Sequence, residues 1–280
     1  MLVRYHPSSL LTAAVDCIWL SRRRDDSPDF EHMLPSGNTN LIFALHDAPI
    51  SWASGKSGIT WRSWTHSIVH GPQTSYYLAG PKPKGTVVGV SFRPGMAGPI
   101  LGVPLSELQD AHIPLDELWG YRASGLHDRL ASANDPLAML RLLESELIAR
   151  IRRPLLLHPA VAYALGSNLS GYNPSQINHI RKQTGYSARH FIELFRSAVG
   201  LTPKRYYRIR RFSSVLAHLA ARDSSLADVA VSAGYADQAH LSREFRELAG
   251  ITPSSYRPRS ADSAHHHVAT HDKVKKVQDF

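Results

Sequence analysis

The sequence predicts an α+β chain, β-rich in front and all-helical behind, the helical part holding two helix-turn-helix units joined by one helix. Three observations carry that reading. Up to about residue 104, short apolar runs sit between Pro and Gly clusters. After it, apolar residues recur every three or four positions. Finally, residues 190–206 repeat fifty positions later. With 280 residues, 43% of them hydrophobic, there is material for about two cores. A wholly disordered chain and a collagen-like repeat are excluded. The single cysteine, Cys17, leaves no intrachain disulfide and no zinc site built on several thiolates.

Residues 10–20 form the first apolar stretch, but Asp16 interrupts it and Arg22-Arg23-Arg24 follows. A secretory signal carries its positive charge ahead of the apolar run, and a membrane helix needs nearly twice the length. A cytoplasmic protein without membrane contact is therefore expected. Over residues 14–20 the Val, Cys, Ile and Trp side chains suit a strand while the spacing also fits a helix, and the balance leans to strand. Leu41-Ile42-Phe43-Ala44-Leu45 and Val87-Val88-Gly89-Val90-Ser91-Phe92 read as further strands, bounded by Pro35-Ser36-Gly37-Asn38, the Pro81–Lys84 region and Arg93-Pro94-Gly95. Beyond Pro104 the expectation is helix, clearest at Leu137, Leu140, Leu143, Leu147 and Ile151. Arg152-Arg153-Pro154 breaks that pattern. The expected organisation is a front domain over 1–155, a linker over 156–172, the helical unit over 173–258 and an unstructured, His-rich tail over 259–280.

Charge is unevenly placed. Residues 1–160 hold 15 Lys+Arg against 14 Asp+Glu, whereas residues 161–260 hold 14 against 6, a net of +8 out of the chain's +9. Clustered cations suit a polyanion, because phosphates release counterions when neutralised.

The repeat lies inside that basic stretch. His190, Phe195, Arg196, Gly200, Thr202, Pro203 and Tyr206 match His240, Phe245, Arg246, Gly250, Thr252, Pro253 and Tyr256. In each copy a helix (175–184, 226–233) ends at a glycine, Gly185 or Gly234, suited to a left-handed cap. Tyr186 or Tyr235 closes the turn, and Ser187 or Asp237 caps a second helix. That second helix buries Phe191, Leu194 and Phe195, or Leu241 and Phe245. It leaves Arg189, Ile192, Glu193 and Arg196, or Ala239, Ser242, Arg243 and Arg246, facing out. Such side chains can read base edges in a major groove. The connecting helix over 203–221 spans about 28 Å, enough to hold two such helices about one DNA turn apart.

Residues 177–257 resemble the DNA-binding domain of AraC/XylS-type transcriptional regulators. The marks are Gly185-Tyr186-Ser187, Phe195-Arg196, Gly200-Leu201-Thr202-Pro203, Arg211, Asp228-Val229-Ala230, Gly234-Tyr235, and Gly250-Ile251-Thr252-Pro253-Ser254-Ser255-Tyr256-Arg257. The resemblance implies sequence-specific binding to double-stranded DNA. Base-reading positions would be Arg189, Ile192 and Glu193, then Gln238, Ala239, His240, Ser242 and Arg243. Phosphate contacts would fall to Lys182, Arg196, Lys204 and Arg246. Glu193 departs from the basic or amide residue common there, so it either accepts from a cytosine or holds back from the groove. A front domain that is barrel-like, binds a small-molecule effector or mediates a homodimer is also implied, as is contact with RNA polymerase if the protein activates. Leu34-Pro35-Ser36-Gly37, with residues 89–95, is similar to the sensor region of one uncharacterised AraC-type subgroup.

Between Glu31 and Glu107 the only carboxylate is Asp47. Paired-carboxylate chemistry and an oxygen-activating metal site therefore lack their groups, and Gly95-Met96-Ala97-Gly98 lacks the lysine of a phosphate loop. No cofactor, metal or catalytic residue is expected. Trp52, Trp61, Trp64 and Arg93 are candidates for an effector pocket accepting an aromatic or anionic molecule, with Lys56, Arg62, Lys82 and Lys84 as further basic groups. The alternatives are a non-specific nucleic-acid-binding protein and a cupin-like enzyme fused to a DNA-binding domain.

Overall fold

The computed structural model describes residues 1–24, 30–54, 60–151, 153–167, 174–221, 225–259 and 264–269. Lys56, Arg152, residues 168–173 of the expected linker and much of the expected tail lie outside them. The front half runs β1 (Leu2–Tyr5), β2 (Val15–Arg23), β3 (Phe30–Met33), β4 (Asn40–Leu45), β5 (Ile50–Ser54), β6 (Trp61–Trp64), β7 (Ser67–His70), β8 (Tyr77–Ala79) and β9 (Gly85–Phe92). Then come α1 (Gly98–Leu101), a 3₁₀ turn at Leu105–Glu107, β10 (His112–Pro114), α2 (Leu115–Trp119), α3 (Tyr121–Ser132) and α4 (Pro136–Ala149). The helical half holds α5 (Pro159–Gly166), α6 (Pro174–Thr184), α7 (Ala188–Val199), α8 (Pro203–Ala221), α9 (Leu226–Ser232) and α10 (Gln238–Ala249), and β11 (His266–Ala269) follows.

Among the described residues the strands form two antiparallel sheets, in the orders β1-β2-β9-β4-β7-β10 and β11-β3-β8-β5-β6. β4 explains why its apolar run does not alternate. Leu41 and Phe43 pack with α3, α4 and β2, while Ile42 and Ala44 on the other face meet Trp64, Ile50 and Trp52 of the second sheet. A strand covered on both faces must be apolar on both. The strand expected near residue 14 is β2. The uniform helix expected after Pro104 is interrupted by β10, whose three residues pair with β7 and are too short to show a period. The α4 helix ends two residues before Ile151.

The helical half has two cores that share one helix. Phe191, Phe195 and Val199 of α7 pack with Ile180, with Tyr206, Tyr207 and Ile209 from the start of α8, and with Ala160, Val161 and Ala164 of α5. Leu241, Phe245 and Leu248 of α10 pack with Val229 and Ala230 of α9 and with Phe212, Val215 and Leu216 from the rest of α8. The segment expected as a linker thus contains a helix that completes the first core. Pro159 at its start and the run of Ala and Val make a short apolar helix that must be covered.

Within the tail expected to be unstructured, the described residues 264–269 are a second correction. β11 pairs with β3 along four residues, and Leu34 N–H donates to the His265 carbonyl at 2.8 Å. Glu31 of β3, 0% exposed, meets Lys82 at 2.5 Å, the His266 ring at 3.0 Å and the Arg259 guanidinium. Burial pushes His265 down to about 4 and His266 down to about 3, so both imidazoles are neutral. A polar, His-rich composition hid the segment because most of what holds it is a sheet edge, one buried carboxylate and the Tyr256 ring, none of which shows as an apolar period.

Candidate nucleic-acid interface

Both helix-turn-helix units form from local signals. The residue after α6, Gly185, has φ of 75°, and Gly234 after α9 has φ of 76°, so both turns use the left-handed region. Ser187 accepts from the His190 amide at 3.3 Å, and Asp237 from the His240 amide at 2.6 Å. These capped amides start α7 and α10. The second turn is one residue longer, with Ala236 between Tyr235 and the cap.

The expected reading faces are open. Arg189, Ile192, Glu193 and Arg196 of α7 are exposed, as are Gln238, Ala239, Arg243 and Arg246 of α10. Ser242 is half-buried. His240 is also half-buried, its ring edge-on to Tyr235 with centroids 5.2 Å apart. Lys182 and Lys204 are exposed. Leu194, expected in the first core, is only partly buried. Glu193 is spent on its own helix: its carboxylate accepts from Arg189 Nε at 3.1 Å, one turn away. That bond uses one edge of the guanidinium and leaves the Arg189 terminal nitrogens to donate elsewhere.

Sequence reasoning missed the network that seats α10 on α8. Arg211, buried in α8, donates from Nη2 to both carboxylate oxygens of Glu244 at 2.7 Å and lies 4.0 Å from the Tyr235 ring centroid. Tyr235 donates its hydroxyl to Glu244 at 2.7 Å. Burial, then the charge of Glu244, pushes the Tyr235 hydroxyl upward, so it stays protonated and donating. Arg208 adds bonds to Glu244 at 3.0 Å and to Glu247 at 3.0 Å. For Arg208, burial works against the charge, but the two carboxylates outweigh it and raise its pKa. Beside this network lies a cleft of about 750 Å³, lined by Lys204, Arg208, Tyr235 and His240 among others. The signal available in sequence was Glu244 itself, a carboxylate at a position where the first copy carries Leu194.

The front-domain candidates do not converge. Trp52 and Trp64 share a small cluster with Ile42, Ile50 and Ile68 between the sheets. Trp61, on the opposite face of β6, packs on Phe30 with centroids 5.5 Å apart. Arg93 sits past the end of β9, bonded to the Thr12 carbonyl at 2.8 Å and paired with Asp16 at 3.9 Å. A four-residue pocket is therefore not formed: three residues on one strand hairpin cannot share a face when their spacing is odd, and Arg93 belongs to another edge. What does gather near Trp52 and Trp64 was not foreseen. The His112 ring stacks on Trp52 at 5.0 Å, and His70 lies edge-on to Trp64, with centroids 6.4 Å apart. His70 Nδ1 and the Tyr77 hydroxyl are 3.1 Å apart. Burial pulls His112 down to about 4 and His70 well below its usual range, so both are neutral. Among the described residues there is no group of three or more His, Cys, Asp or Glu placed to hold a metal, and no helix long and apolar enough to cross a membrane.

Comparison with known proteins follows this division. Residues 180–259 match a helix-turn-helix domain family, and residues 3–114 match a domain of unknown function (DUF6597). The regulatory protein SoxS of Salmonella typhimurium is 34% identical over 86 residues, which is 31% of this chain and 80% of SoxS. The chain belongs to the AraC/XylS-type transcriptional regulators. The match to other relatives covers a smaller share of them: against the helix-turn-helix-type regulator YkgA of Escherichia coli it runs at 36% identity over 89 residues, 31% of this chain and 36% of YkgA. For the melibiose operon regulatory protein of Escherichia coli the figures are 28% identity over 101 residues, 36% of this chain and 33% of that protein. Among solved structures, ToxT from Vibrio cholerae aligns over 85% of this chain and 94% of its own, at 10% identity and a TM-score of 0.43. Over the same share of this chain, ToxT with an unsaturated fatty acid bound gives 9% identity, 93% of its own chain and a TM-score of 0.43. Those scores are too low to carry properties across.

Proposed function

We propose that this regulator binds a bipartite DNA site with α7 and α10 in the major groove, and that its front domain responds to a small molecule instead of catalysing a reaction. The observation that carries the DNA reading is the pair of capped, outward-facing helices inside the segment of net charge +8, computed as 14 cations less 6 anions. Arg189, Ile192, Gln238, Ala239, Ser242 and Arg243 are the base-facing set. Glu193 supports Arg189, and His240 borders the cleft. Lys182, Arg196, Lys204 and Arg246 are the phosphate set. The DNA-binding part begins with α5, near Pro159, and not after residue 172. The effector reading rests on the packed cluster between the sheets around Trp52 and Trp64, where neutral His70 and His112 lie among aromatic rings and, among the described residues, no carboxylate pair placed for proton transfer accompanies them. A cytoplasmic location, a homodimer and contact with RNA polymerase complete the proposal.

Arg243→Ala separates base reading from phosphate binding. On a duplex that the protein prefers, it is expected to cost about 1–3 kcal/mol and to relax the choice at one base pair. Lys204→Ala should instead weaken preferred and random duplexes alike and flatten the salt dependence. Titrations of both variants against both duplexes check this. Equal losses for Arg243→Ala on the two duplexes would remove Arg243 from the base-reading set.

A further inference from the structure

The recognition helices α7 and α10 both end on the same part of the front domain. Gly200 caps α7 with φ of 84°, and a Cβ there would overlap the Pro72 ring and press on the Leu105 carbonyl. Gly250 caps α10 with φ of 71°, and a Cβ there would overlap the Tyr76 ring. Tyr76 also donates its amide to the Leu248 carbonyl of α10 at 2.9 Å. Its ring stacks on His32 with centroids 4.9 Å apart, and His32 Nδ1 lies 3.1 Å from the Ala249 carbonyl. Residues 72–76, one short loop between β7 and β8, thus touch the last turn of both helices.

That loop is bolted to the chain just ahead of β10. Asp110 accepts from the Thr74 amide at 2.6 Å and from its hydroxyl at 2.9 and 2.8 Å. In return the Asp110 amide donates to the Pro72 carbonyl at 3.1 Å. Asp110 holds φ of 54°, an uncommon conformation for a residue other than glycine. Gln73 reaches the Gly71 and Ala111 carbonyls at 3.0 and 3.3 Å. The two loops form a saddle continuous with the β7–β10 pair, where His70 lies opposite His112.

We infer that this saddle, pinned by Asp110 and Thr74 and faced by Pro72 and Tyr76, sets the relative placement of the two recognition helices and so the separation of DNA elements the regulator accepts. The helix α8 ties the two units by running through both cores, and the saddle ties the C-terminal ends of α7 and α10. Two ties fix an angle that one leaves free. The inference rests on the reading of α7 and α10 as the DNA-contacting helices. It also gives an effector near His70 and His112 a short route to both, because the strands carrying them lead straight into the saddle.

The test uses the full chain, a preferred duplex with two elements, and duplexes in which the elements are moved by about two base pairs. Wild type should lose about tenfold in affinity on the shifted duplexes. Tyr76→Ala removes the ring under α10, and Asp110→Gly removes the carboxylate at a φ that glycine adopts freely. Either should shrink the spacing penalty below about threefold while leaving affinity for a single-element duplex unchanged. Tyr76→Phe should behave as wild type. Variants that fold, by circular dichroism and melting, yet keep the full penalty would overturn the inference and leave α8 as the sole spacer. A wild-type chain that prefers no two-element duplex would instead overturn the DNA reading, and this inference with it.

Discussion

Truncating Phe245 to alanine is expected to cost about 3–5 kcal/mol of stability and to loosen α10 from the DNA-binding part. Phe245 is 1% exposed at the centre of the second core, with Phe212 of α8 at 5.2 Å and Tyr256 at 5.9 Å between centroids. Removing the ring deletes its transfer energy and leaves a cavity that α8 cannot fill, because α8 also belongs to the first core. A helix of 12 residues is marginal without its packed face, so DNA affinity should fall along with stability. Denaturant unfolding followed by the helical circular-dichroism signal checks it. Val231→Ala on α9, where the side chain is 73% exposed, serves as control and should stay within about 0.5 kcal/mol. Equal midpoints for the two variants would contradict this account of the core.

The second large effect is expected at Arg211. Arg211→Ala leaves the buried Glu244 carboxylate without its bidentate partner and strips the cation from the Tyr235 ring. A loss of about 3 kcal/mol is expected, towards the low end for a broken buried pair because Arg208 and Tyr235 still face Glu244. The ion pair is not required for stability as such. The first copy carries Leu194 at the position of Glu244 and packs there without a charge. Arg211→Met combined with Glu244→Leu should therefore recover much of what either single change loses, a coupling that a double-mutant cycle measures. A single Arg211→Ala variant within about 0.5 kcal/mol of wild type would show that the pair contributes little.

The helical half was legible because its signals are local and occur twice. Pro203 and the following periodic residues predicted α8 over the range it occupies, and Ser187 and Asp237 cap the helices they were expected to cap. The front half was legible at β4 and β9, whose apolar runs lie between breakers, and only partly at β2, whose spacing fits a helix as well as a strand. β10 and β11 were not, since three or four residues that pair at a sheet edge carry no period of their own. The same limit applies to sites. Exposure of Arg243 or Arg189 follows from helix phase. By contrast, the separation of Trp61 and Arg93 from Trp52 and Trp64 follows from strand pairing across the chain, as does the convergence of His70, Tyr77 and His112. Nothing in the sequence of residues 72–76 marks them out, and their contact with two distant glycines is visible only once both halves are assembled.

Selection of duplexes from a random DNA pool by the purified full chain tests the central claim most directly. Two recognition helices tied by an α8 of about 28 Å should enrich two short elements about 10 base pairs apart, centre to centre, on one face of the duplex. Arg243→Ala should blur one element and leave the other sharp. Recovery of no motif, with affinity that depends on salt but not on sequence, would contradict the account and mark the basic half as a non-specific binder of polyanions.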